Sequence, residues 1–224
     1  MKPLYETEVS VKTITSMAIM LVGAYIAAQM LADITSNKIG ILFGISIDLG
    51  TFIYPITFTL RDLIHKHLGK KAARTIVITA AVINICMAGY MYMTAYFPSD
   101  PTWVPAGDAG WTYHQAFIDI FASTPRIVVA SIIAEVISEL LDTEIYHWWV
   151  TKITARHQWA RVLISNAISV PLDSIIFTLG AFAFTLEWPV VISIFVGNII
   201  IKFIVTVASI PMIYLVPERK KQAH

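Results

Sequence analysis

Apolar residues fall into six long runs, at 14–33, 49–66, 75–97, 124–146, 159–184 and 188–216. Each is about as long as a helix must be to cross a hydrocarbon core roughly 30 Å thick. The pattern predicts an all-α integral membrane protein, six transmembrane helices in a single membrane domain over 1–224. In the first run Ala24, Ala28 and Ala32 recur every four residues, a small-residue face that lets another helix approach closely. The segment Ile39–Ile47 (IGILFGISI) is too brief to span and holds two glycines, so a hairpin or re-entrant loop is expected there. Residues 98–122 contain Pro98, Pro101, Pro105, Trp103 and Trp111 and no Lys or Arg. Within them WTYHQAFIDIF is predicted to lie along the membrane surface as an amphipathic helix.

The fourth run breaks the simple pattern. Ser123–Trp149 is long enough to cross a bilayer, yet carries Arg126, Glu135, Glu139 and Asp142. With Pro125 as the first helical residue and about 1.5 Å rise per residue, Glu135 lies roughly 15 Å along, near mid-membrane. At about 100° per residue, Ser131, Glu135, Ser138, Glu139 and Asp142 share a face, and Val128, Val129, Ile132 and Ile133 largely cover the rest. Ionised carboxylates against lipid cost several kcal/mol each, so that face must look onto protein or a wet cavity.

Composition agrees with the class: 57% hydrophobic and 14% charged residues, mean hydropathy +0.69, where soluble domains run near a quarter charged. No signal-peptide layout precedes the first run, which is expected to remain as a span. A lone Cys86 excludes an intrachain disulfide, and no basic stripe interleaved with aromatics suggests nucleic acid. The net charge of +1 matters less than its distribution. Lys2 and Lys12, the group Lys66–Arg74, the group Lys152–Arg161 and the group Arg219–Lys221 all fall on one side. Only Lys38 falls in a loop on the other. The positive-inside rule then puts both termini in the cytoplasm and the chain in the inner (plasma) membrane.

Arg61, Asp62, Arg126, Glu135, Glu139, Asp142, Asp173 and Lys202 lie within or at the margins of the runs, with Asn84, Asn166 and Asn198 at comparable depth. Lys202, roughly 20 Å into the sixth helix by the same rise, should pair with a carboxylate, and Glu135, Glu139 and Asp62 are the candidates. Three cations face five acids, so at least one acid is protonated or awaits a cationic or donor-rich ligand. Plainer readings stand beside these. Asp62 beside Arg61, and Asp142 near a helix end, suit interfacial ion pairs, and Arg126 suits snorkelling. Trp148 and Trp149 suit interface anchors. His65 and His67 lack a third ligand, so no metal is expected. No Gly-rich phosphate loop, H-E-x-x-H or G-x-S-x-G is present, so no catalytic site or cofactor is expected either.

The order and spacing of several short pieces point further. They are Thr35-Ser36-Asn37, Gly50-x-Phe52-x-x-Pro55 with Asp62-Leu63, Lys71-Ala72-Ala73-Arg74, Arg126-Ile127-x-x-Ala130-Ser131 and Asp142 with Tyr146. Ser165, Asp173-Ser174 with Phe177, Gly197-Asn198-x-x-x-Lys202, Pro211 and Tyr214 follow. In these the chain, from about 35 to 214, resembles the queuosine precursor transporters, a vitamin-uptake-transporter-like family. The resemblance implies uptake of a 7-deazaguanine: 7-cyano-7-deazaguanine, its aminomethyl form or queuine. It also implies a bundle like the S-components of energy-coupling-factor transporters, working without an ATPase partner. Such a base offers N1–H and an exocyclic amine, a two-donor edge that one carboxylate accepts. Asp173, Asn198, Lys202, Glu135, Glu139 and Asn166 are the expected polar contacts, with Arg126 and Asp62 pairing or gating. Phe52, Tyr54, Phe177 and Tyr90 are candidate walls for the flat face. The chain departs from the family's usual pattern at Glu139, where a Gln is common, and at Val170. The alternative is an S-component that needs a separate ATPase module, with Ala24, Ala28 and Ala32 as its docking face. Pairing of the chain with itself into a homodimer is compatible with either.

Overall fold

A computed structural model describes residues 16–103, 112–153, 158–209 and 211. The expectations placed on the N-terminus, Pro105, Trp111, Arg156, the C-terminal end and the side chains of Asp62, His65, Glu139 and Asp142 lie outside the described residues. The chain runs α1 (Ser16–Thr35), β1 (Ile39–Leu42), β2 (Ile45–Asp48), a 3₁₀ turn (Leu49–Phe52), α2 (Tyr54–Leu68) and α3 (Lys70–Ala95). It continues through α4 (Tyr113–Phe121), α5 (Thr124–Lys152), α6 (Gln158–Phe182) and α7 (Trp188–Ser209).

Six helices are long, as the apolar runs predict, and the short α4 falls where the amphipathic segment was expected. Among the described residues, four stretches are long and apolar enough to cross a membrane: Ser16–Thr35, Lys71–Ala95, Tyr113–Ser138, which passes from α4 into α5, and Trp188–Ala208. At 15 residues, α2 is too short to join that group.

The all-α expectation needs one correction. Residues 39–48 form an antiparallel hairpin, Ile39 opposite Asp48 and Leu42 opposite Ile45. The two turn residues, Phe43 (φ 51°) and Gly44 (φ 82°), both have positive φ, which matches the right-handed twist of the strands. The hairpin lies on α7: the Ser46 amide donates to Ser193 Oγ at 2.7 Å. A Cβ at Gly197 would stand 2.4 Å from Ile47 Cγ2, so only glycine allows this approach.

Apolar packing divides the helices into two groups. Leu21, Tyr25 and Ala28 of α1 pack with Leu60, Leu63 and Ile64 of α2 and Ala73, Val77 and Ala80 of α3. Ile127, Ala130 and Ala134 of α5 pack with Phe177, Ala181 and Phe182 of α6 and Val191 and Ile194 of α7. Outer faces carry exposed Ile19, Met20, Ile78, Val82, Val129, Ile133, Ile192 and Ile204. A water-facing protein would not leave so much contiguous apolar surface, whereas lipid satisfies it. Val128, expected on that outer face, is instead fully buried.

Candidate functional site

The polar residues lie at the seam between the two helix groups, and helical spacing puts them there. Tyr25, Gln29 and Asp33 recur every four residues on α1, Ser131 and Glu135 on α5, Asp173 and Phe177 on α6, and Asn198 and Lys202 on α7. Side chains four apart share a helix face. All nine are buried.

Lys202 and Asp173 form the centre. Lys202 Nζ donates to Asp173 Oδ2 at 2.5 Å, with both side chains at most 2% exposed. The sequence marked both residues but expected Lys202 to pair with Glu135, Glu139 or Asp62. The structure corrects this: α6 and α7 are neighbours in one group, whereas Glu135 is engaged across the seam. Asp173 Oδ1 accepts from Tyr54 Oη and from Ser138 Oγ, both at 3.3 Å. The Lys202 ammonium also sits 4.8 Å from the Tyr54 ring centroid and 5.8 Å from that of Phe177. Removing one member of such a buried pair costs about 3–5 kcal/mol, since the other is left as an uncompensated charge.

Glu135 belongs to a second network. Its Oε1 accepts from Tyr25 Oη at 2.7 Å and Gln29 Nε2 at 2.8 Å. Asn84 Nδ2 of α3 donates to Asp33 Oδ2 at 2.9 Å and more weakly to Gln29 Oε1 at 3.3 Å. This network ties α1 and α3 to α5. Tyr25, Gln29 and Asp33 were missed from sequence, although their row runs one residue beside the Ala24, Ala28, Ala32 row.

Between these networks a narrow pocket opens beneath the hairpin, with free space of about 10 Å³, about one water. Asp33, Ser36, Asp48, Thr51, Tyr54, Ser131, Phe177, Asn198 and Lys202 line it. Asp48 caps the 3₁₀ turn: its Oδ1 accepts from the Thr51 amide at 3.1 Å and from Ser36 Oγ at 2.8 Å. Its other oxygen, Oδ2, is buried with no partner. The same holds for Thr51 Oγ1 and for both Asn198 Nδ2 and Oδ1. Such groups normally find partners, and each left bare costs about 1–3 kcal/mol. Four atoms from three residues thus line one pocket without a hydrogen bond of ordinary geometry, although Asp48 and Asn198 lie near enough to influence each other, and such a lining suits a polar ligand. Burial pushes the Asp48 carboxyl above the ordinary carboxylate range, opposed by the Ser36 hydroxyl, the nearby Lys202 charge and the Asn198 amide.

The remaining sequence candidates divide. Tyr54 and Phe177 line the cavity as expected, whereas Phe52 and Tyr90 are exposed at 42% and 65% and face away. Asn166 lies elsewhere, in a separate pocket with Asp173. Arg126 is occupied at a helix end, its Nε donating to Gly180 O at 2.8 Å and its Nη2 to Ala183 O. Asp62 and Glu139 are not placed. Asp48, Ser36 and Thr51 were also missed, because the run containing Thr51 reads as the start of a span.

Fold and site together define a multi-pass membrane protein with a narrow pocket, bordered by buried polar side chains, at a helix seam. Residues 48–216 match the family model described as "Putative vitamin uptake transporter", three quarters of the chain, and the chain belongs to that family. It is 28% identical over 193 residues to a Bacillus subtilis (strain 168) protein named "Probable queuosine precursor transporter", an alignment covering 84% of this chain and 79% of that one. No solved structure matches. Family and relative are transporters, not enzymes, and place the chain in the plasma membrane.

Proposed function

We propose that the chain takes up a 7-deazaguanine, 7-cyano-7-deazaguanine, its aminomethyl form or queuine, through the chamber under the hairpin. The relative's name supports the substrate class. The orphaned atoms of Asp48, Thr51 and Asn198 are the observation that carries the reading. A deazaguanine presents a two-donor edge, a carbonyl acceptor and a flat π-face. The Asp48 carboxylate accepts from that edge, Asn198 offers both a donor and an acceptor, and Tyr54 and Phe177 supply aromatic walls. The positive-inside distribution supports six spans with both termini cytoplasmic, which puts the hairpin and this chamber on the outer side.

An S-component that depends on an ATPase module is the alternative. Ala28 and Ala32, which would dock that module, are buried inside this chain, and Ala24 alone of the three is exposed. That supports uptake without a partner. Purified protein in liposomes should accumulate labelled 7-deazaguanine without ATP, and saturating base, at 100 times its Kd, should stabilise the fold by about 2.7 kcal/mol. Asn198→Ala should weaken binding about 10-fold to 100-fold, as expected for losing one or two buried hydrogen bonds. Stabilisation by a vitamin but by none of the deazaguanines would discard the substrate assignment.

A further inference from the structure

A second pocket, as narrow as the first, reaches Asp173 from the side away from the hairpin. Phe58, Arg61, Ser138, Asn166, Ser169 and Asp173 line it. Three helices border both cavities in a consistent order. Along α2 Tyr54 precedes Arg61, along α5 Ser131 precedes Ser138, and along the antiparallel α6 Ser169 precedes Phe177. Seven or eight residues at about 1.5 Å rise separate the two levels by about 10–12 Å. The cavities are therefore stacked along the bundle axis. Between them stand the Lys202–Asp173 ion pair and the Tyr54 and Ser138 hydroxyls that reach Asp173.

We propose that the lower cavity is a second station for the same flat, hydrogen-bonding heterocycle, and that the Asp173–Lys202 pair is the septum that the ligand parts on its way through. The proposal rests on the transport reading above and adds a place of release, on the cytoplasmic side. The second cavity repeats the chemistry of the first in another form. The Asn166 carboxamide and the Ser169 hydroxyl donate and accept, the Ser138 hydroxyl accepts, the Arg61 guanidinium donates, and the Phe58 ring, 5.5 Å from that guanidinium, offers a face. Parting the pair does not strand either charge. A donor edge of the ligand replaces the ammonium at Asp173, and Lys202 turns toward Asp48, which lines the same pocket. The path is an exchange of partners, not a loss of them.

Thiol accessibility tests this without knowledge of the ligand. Cys86, exposed on α3, is replaced by Ala, and Thr51→Cys or Ser169→Cys is introduced singly. A membrane-impermeant methanethiosulfonate is then applied to sealed vesicles of known sidedness. Thr51→Cys should react at least 10-fold faster from the hairpin side, and Ser169→Cys at least 10-fold faster from the other. Neutralising both partners together, Asp173→Asn with Lys202→Met, should open Ser169→Cys to reagent from the hairpin side. Reaction of Ser169→Cys from the hairpin side while the pair is intact overturns the septum. So does protection of Ser169→Cys from both sides after the pair is neutralised. Filling the lower cavity with Ser169→Phe should leave thermal stabilisation by 7-cyano-7-deazaguanine within 3-fold in apparent affinity while cutting uptake at least 10-fold. Uptake unchanged by that variant removes the second station. If no deazaguanine stabilises the protein, the substrate assignment fails while the labelling pattern still decides the septum.

Discussion

Asp48 gives its two carboxylate oxygens different work. Oδ1 holds the 3₁₀ turn and the end of α1 through Thr51 and Ser36, while Oδ2 is left bare at the cavity. Burial raises its pKa above the ordinary 3.8, so the folded chain holds the proton more tightly than the unfolded chain. Stability contributed by this group is therefore complete below pH 3.8 and declines as pH rises from there toward the folded value. Asp48→Asn keeps an oxygen for Ser36 and Thr51 but cannot ionise. Thermal midpoints of the two proteins should converge near pH 4 and separate as pH rises, with the variant higher; parallel profiles would mean that the buried carboxylate is fully compensated. Residues of this kind were legible only in part. Asp173, Asn198 and Lys202 stood out because charge and amide are conspicuous in apolar helices. Asp48 did not, because it sits where a loop aspartate is unremarkable until Gly50 shows how tightly that loop is drawn in. A Cβ there would lie 2.0 Å from Ser36 Oγ and 2.2 Å from the Ala32 carbonyl oxygen.

At the scale of elements, apolar run length located the six long helices, and their ends shifted where local chemistry intervened. The second run was expected from residue 49, but Leu49–Phe52 winds as a 3₁₀ turn capped by Asp48, and α2 starts at Tyr54. The hairpin was anticipated as one of two options; its register was not, since that depends on contact with Ser193 and Gly197, 147 or more residues away. Arg126 is the clearest case of a residue whose type suggested one role and whose place gives another. It donates to carbonyls at the C-terminal end of α6, where backbone acceptors lack helical partners and the helix dipole favours a cation. Arg126→Met should lower stability by about 1–3 kcal/mol while leaving ligand affinity within twofold. An affinity loss of tenfold with unchanged stability would return Arg126 to the binding site.

Across the whole molecule, two helix groups with separate apolar cores meet along a polar seam, an arrangement suited to rocking of one half against the other around a bound molecule. Hydrophobicity alone could not reveal that seam. It is assembled from four-residue rows on different helices whose mutual rotation only packing sets, which is why Lys202 was matched to the wrong acid. The closeness of Lys202 to Asp173 also bears on energetics. Two opposite charges that part and rejoin within the protein carry no net charge across the bilayer over a full cycle, whereas one unaccompanied charge crossing it would feel about 2.3 kcal/mol per 100 mV. Carriage of the neutral 7-cyano-7-deazaguanine past this pair should be voltage-indifferent: its uptake rates in valinomycin-clamped vesicles should be the same at zero and at −100 mV, and a steep rise on polarisation would reveal a charge travelling alone.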